Sequence, residues 1–118
     1  MIASEFEKIV LSDGQILECL VREGRAVLLF RDWREKHWNI VFGEVDAVEM
    51  YCFYQEDLSH VTFERDNDFV GRAKRSTSDD DPELTCISFI SAWTATPVFR
   101  ILASNCTINE AINPTSRT

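Results

Sequence analysis

The chain has 118 residues, 45% of them hydrophobic and 27% charged, and carries a net charge of −8. That length suits one domain, residues 1–118, and buries roughly two-thirds of the unfolded surface, so a core needs neither metal nor disulfide support. The acid excess argues against nucleic acid as a partner, which needs a broad positive surface; Arg72-Ala73-Lys74-Arg75 is too short a basic run to supply one.

In chain order, the periodicity is close to 2, the signature of strands. Residues 5–12 alternate and lead into Asp13-Gly14, a two-residue hairpin signal, followed by a strand over 15–22. A turn at 23–25 precedes a strand over 26–33, and Arg34-Glu35-Lys36-His37 turns the chain into 38–43. Further strands are expected over 45–55, 60–66, 84–93 and 98–108, rich in Val, Ile, Phe, Tyr, Trp or Thr. The sum is an all-β fold of about eight antiparallel strands. Thr107-Ile108-Asn109-Glu110 matches the S/T-x-x-E capping box and adds one short C-terminal helical turn.

Several strands are apolar on both faces. Ala26, Leu28 and Phe30 share one side of their strand, while Val27, Leu29 and Trp33 share the other. A sheet wetted on one side would alternate cleanly, so a sandwich, a partly open barrel or a subunit contact is expected. Glu44 and Asp46 have the parity of Val48, Met50, Cys52 and Tyr54, which calls for a bulge near Asp46-Ala47. The long break at 69–83 is expected to be a mobile loop.

No signal peptide is expected from Met1–Lys8. The longest uncharged run, Leu84–Phe99, is broken by Pro97 and falls short of the ~18–20 apolar residues of a membrane span. A soluble cytoplasmic protein with no membrane partner is expected. Cys19, Cys52, Cys86 and Cys106 form no C-x-x-C pair, so they read as small thiols on strand faces. Ser78–Glu83 holds four carboxylates but lacks the alternating spacing with which one loop wraps calcium. Only His37 and His60 are present, and adjacent Ser59 and His60 point to opposite faces of a strand. No cofactor, metal or catalytic constellation is expected, and the chain reads as non-enzymatic.

Charge is the informative feature. Residues 44–68 carry eight acids against Arg65 alone, net −7, so almost the whole charge of the chain sits in 25 residues. Glu44, Asp46, Glu49, Glu64 and Asp66 are therefore candidates for a face that attracts a basic protein; the competing reading is a solubilising edge hairpin. Trp33 and Trp38, at the two ends of a turn beside His37, read first as a hairpin pair and second as an interface hot spot.

Asp32-Trp33, Ile40, Phe42, Val45, Val48 and Glu49 resemble the "DW…I.F..V..VE" pattern of small all-β bacterial proteins, including immunity proteins of polymorphic toxin systems. The similarity covers about a fifth of the chain and lies mostly in strand pattern. It implies a binding protein with no catalytic residues. The expected function is thus a protein-binding module of immunity or inhibitor type that forms a homodimer; the alternative is a small-ligand β-barrel or an orphan protein encoded on a mobile element.

Overall fold

The computed structural model describes residues 2–51, 56–65, 67–76 and 84–111. It begins with helix α1 (Ile2–Glu5) and a 3-10 turn over Phe6–Lys8, followed by six strands. These are β1 (Gln15–Arg22), β2 (Arg25–Arg31), β3 (His37–Met50), β4 (Leu58–Glu64), β5 (Thr85–Ser91) and β6 (Pro97–Glu110); helix α2 (Asp68–Ser76) lies between β4 and β5. One antiparallel sheet results, in the order β1-β2-β3-β6-β5-β4. No helix among the described residues is long and apolar enough to cross a membrane.

Six strands replace the expected eight, for identifiable reasons. Residues 5–12 are not a strand: Ile2, Phe6 and Ile9 stand at i, i+4 and i+7, a helical spacing, and all three are buried with Leu11. Asp13-Gly14 consequently joins this segment to β1 rather than linking two strands. The expected strands 38–43 and 45–55 merge into β3, which passes a register shift between Val45 and Ala47, where a bulge was anticipated. Thr107–Glu110 continues β6 instead of turning helical, because Ile40, Asn39 and Trp38 of β3 pair with Ile108, Asn109 and Glu110. The described strands all belong to this one sheet, which does not confirm a sandwich.

What covers the sheet instead is helical. On its concave side α1 and the 3-10 turn bring Ile2, Phe6, Ile9 and Leu11 against Phe30, Phe42, Phe89, Phe99 and Ile108. Glu5 ties this segment down: its Oε2 accepts the Ile108 N–H at 2.8 Å and the Lys8 Nζ at 2.9 Å, and those bonds hold its pKa below the ordinary range. On the opposite side Phe69, Val70 and Ala73 of α2 pack with Leu84, Cys86, Leu102 and Ala47. The expected mobile loop at 69–83 is thus helical over its first part; residues 77–83, with most of the acidic run, lie outside the described residues. Asn67 begins α2, accepting the Val70 N–H through its side chain at 2.8 Å as an N-cap.

β3 and β6 form a long hairpin-like pair that changes face midway. Phe42 opposes Cys106 and Val45 opposes Ala103, and all four belong to the concave core although they are three residues apart on each strand. Alternation alone would put them on opposite sides. Glu44 absorbs the change with φ +52°, and Gly43 lies beneath the Asn105 side chain, where a Cβ would come within 2.3 Å of Oδ1. The coiled sheet brings its two edge strands together at one point. There the Asp13 N–H donates to the Leu58 carbonyl (2.9 Å) and the Leu58 N–H donates to the Gly14 carbonyl (2.8 Å).

Candidate functional site

The β2–β3 turn is organised by one carboxylate. Asp32 Oδ1 accepts the backbone N–H groups of Arg34 and Lys36, each at 2.9 Å, and Oδ2 accepts Trp38 Nε1 at 3.1 Å. Partial burial pushes the Asp32 pKa up, but the Lys36, Trp38 and Arg34 hydrogen bonds outweigh this and leave it below its ordinary 3.8. The two tryptophans part company. Trp38 is half-buried against the core with Lys36 Nζ 4.8 Å from its ring centroid, whereas Trp33 is exposed under the Arg34 guanidinium, also at 4.8 Å. His37 is half-buried at the start of β3, opposite Arg31. Packing thus accounts for Trp38, and exposure leaves Trp33 available.

Removing this carboxylate should be felt. Asp32→Ala is expected to cost about 1–2 kcal/mol by stranding three donors at the turn. Because the folded-state pKa is depressed, that stabilisation is present above pH 3.8 and fades as pH falls through the lower folded value. Urea midpoints of the wild type and Asp32→Ala should therefore differ at pH 7 and converge in strong acid.

The acidic block does not form one face. β3 and β4 are separated in the sheet by β6 and β5, so the expectation of two adjacent acidic strands fails. Glu44 and Asp46 are exposed near the β1–β2 turn, where the Val45 N–H donates to the Gly24 carbonyl, while Glu64 is exposed at the far end of β4. Asp66 lies outside the described residues. Glu49 goes elsewhere: it is largely buried, with Oε1 3.7 Å from Arg100 Nη1, and Asp68 Oδ1 approaches the same nitrogen at 3.5 Å.

That ion cluster sits in a cleft of ≈ 520 Å³ lined by Glu49, Tyr51, Glu56, Thr94, Pro97 and Arg100, among others. Its geometry is set by buried Ser91 at the end of β5. The Ser91 hydroxyl donates to Glu56 and accepts the N–H groups of Trp93 (3.0 Å) and Thr94 (3.2 Å), which shapes the 92–96 turn. Trp93 is 76% exposed, the most exposed of the large apolar residues, yet its Nε1 is anchored at 3.3 Å to Asp57 Oδ2. Asp57 Oδ1 in turn accepts Gln15 Nε2 at 2.8 Å, and Gln15 Oε1 accepts Arg31 Nη2 at 3.1 Å. Tyr51 is exposed on the other side of the cleft and donates its N–H to the Val98 carbonyl.

The structure thus brings Glu49 and Glu56 together with exposed Tyr51, next to the turn that carries Trp93; of these the sequence singled out Glu49 alone. Glu49 and Glu56 line the cleft with Arg100, and Asp68 reaches the same guanidinium, so carboxylates outnumber the one cation there and the cleft is negative. A second pocket, of ≈ 430 Å³, lies between α1 and the ends of β4 and β5, lined by Ile2, Phe63, Arg65, Thr85, Asn105 and Cys106.

The described cysteines, Cys19, Cys86 and Cys106, are free thiols on strands; Cys52 lies outside the described residues. Burial, with a smaller contribution from the Glu5 carboxylate, pushes the Cys106 thiol up to about 12 despite the opposing influence of Lys8. Since the thiolate is the nucleophile, a maleimide or disulfide reagent at pH 8 is expected to leave Cys106 unmodified until the chain unfolds. Peptide mapping by mass spectrometry, with and without urea, checks this.

Comparison with protein-family models, curated proteins and solved structures gives no match to this chain.

Proposed function

We propose that this chain is a non-catalytic protein-binding module that holds a basic partner at the Tyr51–Trp93 cleft. One observation carries the reading: a tryptophan held out to solvent by a hydrogen bond from its own indole to Asp57, on the 92–96 turn whose Thr94 and Thr96 line the cleft with Glu49 and Glu56. An exposed aromatic normally gains nothing from being fixed. A fixed one loses less entropy on binding, and tryptophan is the residue most often found at the centre of interface energetics. The carboxylates suit arginine or lysine side chains, and they steer a basic partner towards the rim.

The resemblance at Asp32-Trp33 through Glu49 makes an immunity-type inhibitor the specific form of module proposed, with a basic toxin domain as its partner. The meeting of the Asp13-Gly14 turn, just ahead of β1, with β4 at Leu58 supports reading the sheet as a partly open barrel. Its concave side is filled by Phe6, Phe30, Phe42, Phe89 and Phe99, which weighs against enclosure of a small ligand.

An NMR titration of isotope-labelled chain with an arginine-rich peptide tests the reading. Shift changes should concentrate at Tyr51 and Thr94–Arg100 and shrink as salt rises, since the Debye length is only about 8 Å at physiological ionic strength. Trp93→Ala should weaken binding by roughly 30-fold, the size of an interface hot spot. Equal binding by Trp93→Ala, or shifts spread over Glu44, Asp46 and Glu64, would refute the cleft as the site.

A further inference from the structure

We infer that β1 pairs antiparallel with β1 of a second copy of this chain, centred on Leu20. Among the described residues β1 has a strand neighbour on one side only. No described strand covers its outer edge, and Glu18 and Arg22 are exposed, with Leu20 and Val21 exposed at 56% and 45%. Charged or bulged edges discourage pairing, but an edge that ends in two adjacent exposed aliphatic residues invites it.

The backbone sets the phase. Arg22 and Arg25 close the two-residue turn Glu23–Gly24, so their N–H and C=O groups point at each other. Alternation then directs the backbone groups of Leu20 towards β2 and those of Cys19 and Val21 outward. A two-fold axis through Leu20 places Cys19 of one copy opposite Val21 of the other, in both directions. Every outward donor of Cys19 and Val21 thereby meets an outward acceptor.

The side chains agree with that phase. Glu18, Leu20 and Arg22 share the face away from the core, since Cys19 between them packs against it. The same axis puts Leu20 against Leu20, flanked by Glu18 of one copy facing Arg22 of the other, twice. Moving the axis to Val21 would set Leu20 against Arg22, and moving it to Cys19 would set Leu20 against Glu18. Charge complementarity therefore selects the Leu20 centre, and the occupant it fits is this chain itself. The pairing is separate from the Tyr51–Trp93 cleft and does not depend on it.

Sedimentation equilibrium should show the 13.6 kDa chain reversibly doubling its mass as concentration rises. Arg22→Glu places two acids opposite each other at both ends and should raise the dimer dissociation constant on the order of tenfold or more. The exchange Glu18→Arg with Arg22→Glu restores both opposite-charge pairs and should restore dimerisation. Circular dichroism confirms that each variant is folded, and Leu20→Lys, which sets two ammonium groups together on the axis, gives an independent loss. A wild type that stays monomeric at millimolar concentration overturns the inference. So does a dimer indifferent to Arg22→Glu and Leu20→Lys, or a folded double exchange that remains monomeric.

Discussion

Replacing Phe6 by alanine is expected to lower the unfolding free energy by about 3–5 kcal/mol. Phe6 is 6% exposed and stands among three aromatic rings, with centroids 5.5 Å from Phe63, 5.9 Å from Phe89 and 6.5 Å from Phe42. The Phe63 and Phe89 contacts are edge-on, the arrangement that aromatic quadrupoles favour. The neighbours cannot collapse into the vacated space, because Phe42 and Phe89 belong to strands fixed on both sides by the sheet. The full transfer and cavity costs therefore apply. Total stabilities of small domains run to about 5–15 kcal/mol, so the variant should lie close to its unfolding threshold. Urea denaturation followed by far-UV circular dichroism measures this, and a loss below about 1 kcal/mol would mean that the 3-10 turn is not part of the cooperative core.

A second large effect is expected from adding a single carbon. A Cβ at Gly14 would lie 2.3 Å from Phe30 Cζ and 2.5 Å from Cε1, with the Arg31 carbonyl at 3.0 Å. Phe30 is wholly buried, so its ring has nowhere to go, and Gly14 also accepts the Leu58 N–H at the point where the sheet edges meet. Gly14→Ala should cost about 2–3 kcal/mol by overpacking. Two other glycines calibrate the claim. Gly24 has φ +71° but open space around it, so alanine there costs about 1 kcal/mol of backbone strain. At Gly43 the obstacle is the side-chain end of exposed Asn105, which can swing aside, and Gly43→Ala should be near neutral. Thermal midpoints of the three variants should fall in the order Gly14, Gly24, Gly43, with Gly14→Ala lowest.

Where the sequence was legible, the signal was local. The β1–β2 hairpin follows from alternation on both sides of Glu23-Gly24, and the bulge near Asp46 follows from a parity conflict visible in seven residues. The helical segments were hidden for opposite reasons. Ile2, Phe6 and Ile9 carry a helical period, but Glu5 and Glu7 between them imitate an alternating strand. In α2 the stripe Phe69, Val70, Ala73 is too short to stand out from its charged surroundings.

The cleft was barely legible, because its parts are joined only by folding. Asp57 is 42 residues from Gln15 and 36 from Trp93, and no pattern at those separations marks the hydrogen bonds. Among the described residues, the acids of the block overlap the cleft at Glu49 and Glu56 only. Its described charges do not lie on one surface; Glu49 and Glu56 line a cleft whose other wall comes from Thr94, Thr96, Pro97, Val98 and Arg100.

The bond between Glu5 and the Ile108 N–H has a consequence for synthesis on the ribosome. It joins groups 103 positions apart, and the same N-terminal segment fills the concave side of the sheet. Ile2, Phe6 and Ile9 leave the exit tunnel well before β6, so they wait for most of this fold to be translated before they find their place. Until then Ile2, Phe6 and Ile9 remain open to chaperones, and the nascent chain gains little from folding by halves. Stalled chains ending before β6 should bind trigger-type chaperones and be cut readily by protease, with protection appearing abruptly once Ile108 has cleared the tunnel.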